Sequence, residues 1–162
     1  MLRLILMRHA KSDWGEAGQA DHDRPLNRRG MHDAPQMANW LREQALVPDW
    51  ILASSARRTQ ETAELLTREW QSQDMFVSSE DLYLASPEAI QRVINQDGCD
   101  FQDLMVLGHN PGLSYFASSL SNELIQLPTA GIIAFEVAIE QWSDFRVSSS
   151  VKLIAIMKPK SF

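Results

Sequence analysis

Short apolar runs alternate with longer amphipathic stretches along the whole chain. Leu2 to Met7, leucine, isoleucine and methionine broken only by Arg3, forms a brief run too short to span a membrane and apolar enough for a strand inside a sheet. A polar loop, GEAGQADHDRPLN, follows it. Ala34, Met37, Ala38 and Leu41 then recur at helical spacing, which predicts a helix from about Arg28 to Ala45, with Pro35 kinking it or restricting its first turns. DWILAS (49–54) reads as a second strand, followed by a helix with Ala63, Leu66 and Trp70 on one face. MFVS (75–78) is a weak third strand.

SPEAIQRVINQDG opens on a helix-start signal, Ser86 as N-cap with Pro87 behind it, and closes near Gly98. LMVLGHNPGLSYFASSL repeats the pattern of the opening: an apolar strand, a sharp polar turn with a histidine, and a helix from around Pro111. GIIAFEV (131–137) and VKLIAIM (151–157) close the chain as strands that pair as neighbours, joined through a hairpin turn at SDFRVSSS. Strands alternating with helices predict an α/β fold: a single three-layer domain over residues 1–162, with a mostly parallel central sheet flanked by helices.

Composition narrows the function classes. The chain has 162 residues and a net charge of -6, so its surface as a whole repels nucleic acid and anionic membranes, and neither is expected as a partner. Any basic pocket must be a local concentration, which draws attention to Arg8 and to the pair Arg57 and Arg58. Cys99 is the only cysteine, which rules out an internal disulfide and makes it a small filler beside a turn. Arg3 and Arg8 interrupt the N-terminal apolar run before a secretory core can form, so a cytoplasmic location is expected.

Three strand ends carry polar cargo: Arg8-His9, the segment SSARRTQETA (54–63), and Gly108-His109-Asn110. If the strands are parallel, all three lie on one edge of the sheet, where α/β folds bind ligands. Guanidinium groups grip phosphate oxygens through paired, charged hydrogen bonds, and a nearby histidine ring nitrogen can accept a phosphoryl group covalently. No histidine pair has the i, i+4 spacing of a helix-borne zinc site, so no metal and no cofactor is expected. His22 and His32 sit among polar residues and read as loop and helix-surface histidines; Asp21, Asp23 and Arg24 read as ion pairs fixing the loop. Trp40, Trp50 and Trp70 read as core or partly buried surface.

MRHAKS, SSARRTQETA and VLGHNPG, with ADHDRPLNRRG, DLYLASPEA and LPTAG between and after them, resemble the histidine phosphatase superfamily. Within it they resemble the short SixA-like phosphohistidine phosphatase branch, of phosphoglycerate mutase-like fold. The resemblance implies that His9 is the phosphorylated nucleophile, that Arg8 binds phosphate beside it, and that His109 stabilises the phosphoryl oxygens. It assigns the second phosphate-binding arginine to Arg58, flanked at the family's spacing by Ser54 and by Thr62-Ala63; Arg57 would point elsewhere. The chain departs from much of the superfamily at Ala10-Lys11, Ser12, Gly15 and Ser54-Ser55. The resemblance further implies a metal-independent phosphatase acting on phosphohistidine in a partner protein, such as a phosphotransfer domain or phosphocarrier. A small-molecule phosphomonoesterase of the same superfamily and a non-catalytic phosphate-binding adaptor are the alternatives. No carboxylate is marked as a general acid; Glu80 and Asp81 are the nearest candidates, and read as exposed loop residues.

Overall fold

Alternation at two-residue spacing puts successive side chains of a strand on opposite faces of a sheet, and here both faces are buried. In β1 (Leu2–Arg8), Leu4 and Leu6 belong to one core and Ile5 and Met7 to the other. The same division holds in β4 (Asp103–Gly108), where Leu104 and Val106 face one way and Met105 and Leu107 the other. The computed structural model describes residues 1–159. Its remaining strands are β2 (Trp50–Ser54), β3 (Phe76–Ser79), β5 (Ile132–Val137) and β6 (Val151–Met157).

The six strands form one sheet in the order β3-β2-β4-β1-β5-β6. Pairings among β1 to β4 are parallel, whereas β5 runs antiparallel to both β1 and β6. Helices α1 (Arg28–Glu43) and α2 (Arg57–Glu69) cover one face; α3 (Pro87–Asp97) and α4 (Gly112–Ser121) cover the other. This is the three-layer α/β domain expected from the alternation of elements.

The differences from the sequence reading are local. β3 lies one residue later than expected and α1 ends at Glu43. Helix α1 continues through Pro35; the carbonyl of Met31, which Pro35 leaves without a helical donor, belongs to an exposed residue that water can reach. Cys99 is exposed at a positive φ of 49°, so it fills nothing. The β5–β6 connection is more than a turn: Trp142 and Phe145 are fully buried against α3, and the Asn95 amide donates to both their carbonyls at 2.8 Å. Trp40 is buried, while Trp50 and Trp70 are half-buried, Trp50 stacked on Phe101.

Candidate active site

Because β1, β2 and β4 are parallel neighbours, their C-terminal ends share one edge, and register decides which residues meet there. Arg8 lies opposite Gly108 and Ala53 opposite Leu107. The next residues, His9, His109 and Ser54, therefore leave adjacent strand ends together. The two imidazoles lie 5.2 Å apart between ring centroids.

The backbone beneath His9 is fixed from several sides. His9 N–H donates to the Gly108 carbonyl at 3.1 Å, and Ala130 N–H donates to the carbonyls of both Arg8 and His9 at 3.1 and 2.9 Å. Thr62, in the second turn of α2, accepts from Ala10 N–H at 3.1 Å and donates to the Arg58 carbonyl at 2.7 Å. One hydroxyl thus ties the His9 turn to the helix that carries Arg58. Gly30 lets α1 approach the same turn: a Cβ there would stand 2.2 Å from the Lys11 carbonyl oxygen.

Arg58 occupies the first turn of α2 and is 2 % exposed, whereas Arg57 turns outward and pairs with Glu61. The Arg58 guanidinium joins every part of the cluster. Its Nε donates to His9 Nε2 at 3.3 Å, one terminal nitrogen reaches His109 Nδ1 at 3.3 Å and Asp21 Oδ2 at 3.2 Å, and the other donates to the Asp21 carbonyl at 2.8 Å. Arginine can only donate, so both facing imidazole nitrogens present lone pairs. His9 Nδ1 lies 2.7 Å from the Ala10 carbonyl, which can only accept. The tautomer follows: His9 carries its proton on Nδ1 and a free lone pair on Nε2. His109 Nε2 donates to Ser54 Oγ at 2.6 Å, which leaves Nδ1 as its lone pair.

Burial, reinforced by the charges of Arg58 and Arg8, holds His9 down at about 3. Burial, with His9 and Arg58 beside it, holds His109 at about 3 as well. Both rings are neutral at physiological pH. Arg8 is half-buried; burial and then Arg58 lower its pKa, and its Nε has no hydrogen-bond partner.

These groups line a cavity of about 220 Å³ that also takes in Lys11, Arg24 and Asp21. Arg24 is buried, contacts Ser12 Oγ at 3.0 Å and Asp21 Oδ1 at 3.1 Å, and packs its guanidinium 4.1 Å from the Trp14 ring centre. Asp21 and Arg24 pair as a loop-fixing reading requires, yet both also belong to the pocket. Sequence alone does not show this, because the 15–27 loop has no periodicity to say which way it folds. Asp21 is the one carboxylate lining the cavity among the described residues. A hydrogen bond from the Tyr83 hydroxyl, with Arg58 and Arg24 beside it, holds the Asp21 carboxyl down at about 2. It is ionised at any pH where the protein would work. Glu80 and Asp81 are exposed and stand outside the cavity. His22 lies one contact away, bonded to Ser55 Oγ at 2.9 Å, and His32 is on the exposed face of α1.

The cavity is built for a small, highly charged anion. Three guanidiniums, of Arg8, Arg24 and Arg58, and the Lys11 ammonium line it, against a single carboxylate among the described residues. Comparison with known proteins agrees. The sequence pattern of the histidine phosphatase superfamily (branch 1) matches residues 4–82. An uncharacterized chloroplast protein of Arabidopsis thaliana is 33 % identical over 154 residues, covering 88 % of this chain and 69 % of that protein. An uncharacterized protein of Mycobacterium tuberculosis is 35 % identical over 149 residues, 85 % of this chain and 90 % of its own. Among solved structures, a proposed phosphohistidine phosphatase SixA from Agrobacterium tumefaciens superposes with a TM-score of 0.83 at 27 % identity, over 98 % of both chains. The protein histidine phosphatase SixA in complex with tungstate shares the fold, with a TM-score of 0.82 at 19 % identity over 99 % of both chains. No described helix is long and apolar enough to cross a membrane. Motifs, fold and relatives converge: the chain belongs to the histidine phosphatase superfamily.

Proposed function

We propose that this phosphatase removes phosphoryl groups from phosphohistidine in a partner protein, through a covalent intermediate on His9. His9 Nε2 attacks phosphorus in line, the substrate's P–N bond breaks, and the imidazole departs. Water then cleaves the P–N bond on His9, releasing inorganic phosphate and restoring the ring. Arg8, Arg58 and His109 hold the equatorial oxygens through both steps. At rest Arg58 donates to the two imidazole lone pairs; an arriving phosphoryl group offers it stronger, charge-assisted acceptors in their place. The incoming negative charge also favours a proton on His109 Nδ1, making that ring a donor to the oxygens. Positive charge on the site comes from side chains, and the reaction as proposed requires no metal.

The observation that carries the choice of substrate is the state of Asp21. The one carboxylate that lines the cavity among the described residues is held ionised at about 2 and has no proton to give a leaving group. An alkoxide, the leaving group of a serine or sugar phosphate, needs such a proton. Imidazole, with a pKa of about 6.5, is already substantially protonated near neutrality and leaves without one. The SixA-named neighbours support the same reading.

The test is kcat/KM on a panel of phosphohistidine proteins and of alkyl phosphates, before and after exhaustive chelation. Phosphohistidine should be turned over well and alkyl phosphates poorly, chelation should leave both unchanged, and Glu80→Gln and Asp81→Asn should be near neutral. Efficient alkyl phosphate cleavage abolished by either variant would favour a small-molecule phosphomonoesterase.

A further inference from the structure

Beside the cavity, and sharing Arg8, Asn110 and Thr129 with it, lies a larger groove of about 530 Å³. The residues that perform the proposed chemistry line the smaller space, and the mechanism gives the rest of the groove no role. Its composition is unusual for a chain of net charge -6: Arg8, Arg29 and Lys158 line it, and among the described residues no carboxylate does. Arg8 is engaged by the phosphoryl group and Arg29 pairs with Asp33 at 3.4 Å, so Lys158 and the exposed side of Arg29 are the charges left to meet a partner. The groove also displays large apolar side chains to solvent, Tyr115 at 61 % and Leu124 at 85 % exposure. Isolated exposed leucines are ordinary, but an aromatic and an aliphatic flanking one cationic groove form the kind of patch that partners bury.

The far wall is held firmly. Ser114 Oγ, on α4, accepts from Leu127 N–H at 3.0 Å, and Ser118 Oγ accepts from Ile125 N–H at 2.8 Å. The Leu127 carbonyl in turn accepts from Arg8 at 3.1 Å and from the Asn110 amide at 2.8 Å. The groove wall and the phosphate site thus share one arginine. A surface ordered before its partner arrives spends less free energy on binding.

We propose that this groove is the docking surface for the phosphohistidine-bearing protein: it receives an apolar patch flanked by carboxylates while the phosphohistidine enters the adjoining cavity. The proposal rests on the phosphohistidine-protein reading above. An acidic, apolar occupant is the one whose charge complements Lys158 and Arg29 and whose side chains cover Tyr115 and Leu124.

The experiment compares wild type with Leu124→Glu, Tyr115→Ala and Lys158→Glu on two probes: a phosphorylated histidine phosphotransfer domain or phosphocarrier, and phosphoimidazole. All three positions are solvent-exposed, so folding should be undisturbed, which melting curves check. Turnover of the phosphoprotein should fall tenfold or more in kcat/KM, through KM, while phosphoimidazole stays within twofold. Lys158→Glu should also weaken the salt dependence of the protein reaction. Unchanged phosphoprotein kinetics in all three variants would overturn the groove assignment alone. Equal losses on both probes would overturn it too, making the groove a wall of the chemical site for a small substrate. A wild type that hydrolyses phosphoimidazole but none of the phosphoproteins would overturn both the docking surface and the reading beneath it.

Discussion

Two neutral histidines buried beside arginines make stability depend on pH in a way that can be worked out beforehand. In the folded chain His9 and His109 are held at about 3; in the unfolded chain each returns to about 6.5. Between those values the unfolded chain binds protons that the folded chain excludes, so stability is fully present above about pH 6.5 and is lost as pH falls through the window toward 3. At pH 5 each ring contributes a loss of about 2 kcal/mol, roughly 4 kcal/mol for the pair, against a total of about 5–15 kcal/mol for a typical domain. Other groups titrate in the same range, so the measurement is a difference between proteins. Urea melts of wild type and the double variant His9→Asn/His109→Asn should be recorded from pH 7.5 to 5.0, in buffers free of phosphate and sulfate. The wild type should lose about 4 kcal/mol more than the variant across that span, which at a slope of about 2 kcal/mol per molar is a relative midpoint shift of about 2 M urea. Tungstate should flatten the wild-type curve, because an oxyanion in the site favours protonated imidazole. Parallel pH profiles for the two proteins would mean that the rings titrate normally and are neither desolvated nor held neutral by their neighbours.

Other consequences follow from particular contacts. Arg58→Lys should cost kcat at least a hundredfold, about 3 kcal/mol, because a lysine cannot span His9, His109 and Asp21 at once, whereas Arg57→Lys should be nearly silent; steady-state kinetics on one substrate compare them, and equal losses would mean the two arginines are misassigned. Gly112→Ala would place a Cβ 1.8 Å from the Ala85 carbonyl oxygen, while a Cβ at Gly108 meets nothing within 4 Å. The first substitution should destabilise by about 3 kcal/mol, roughly 10 °C in Tm, and Gly108→Ala should scarcely move it, as calorimetry would show.

Much of this was legible from residue order. Strands buried on both faces announce themselves as unbroken apolar runs, and a parallel sheet then brings their ends together; that logic places Arg8, His9, Ser54 and His109 on one edge before any contact is known. Arg58 could be told from Arg57 only through the family resemblance, whose spacing from Ser54 to Thr62-Ala63 centres on Arg58; in the structure Arg58 is buried and Arg57 turns out to Glu61. The choice of His9 tautomer could not be read, since it depends on the carbonyl of the very next residue turning back toward Nδ1, a matter of backbone dihedrals. Arg24 and Asp21 were hidden for a related reason: their loop is held by side-chain bonds to Ser12, Arg58 and Tyr83, which leave no periodic trace. The depth of Trp142 and Phe145 was likewise masked by the polar residues around them.

One atom decides the chemistry, His9 Nε2, whose lone pair faces Arg58 while Nδ1 is occupied by the Ala10 carbonyl. Rapid acid-free quenching with a ³²P-labelled phosphohistidine protein, followed by mass spectrometry and ³¹P NMR of the trapped enzyme, reads that atom directly. An acid-labile, base-stable phosphoryl group is expected on Nε2 of His9, absent from His9→Ala. A phosphoryl group on His109, on Nδ1 of His9, or on an enzyme lacking His9 would contradict this assignment.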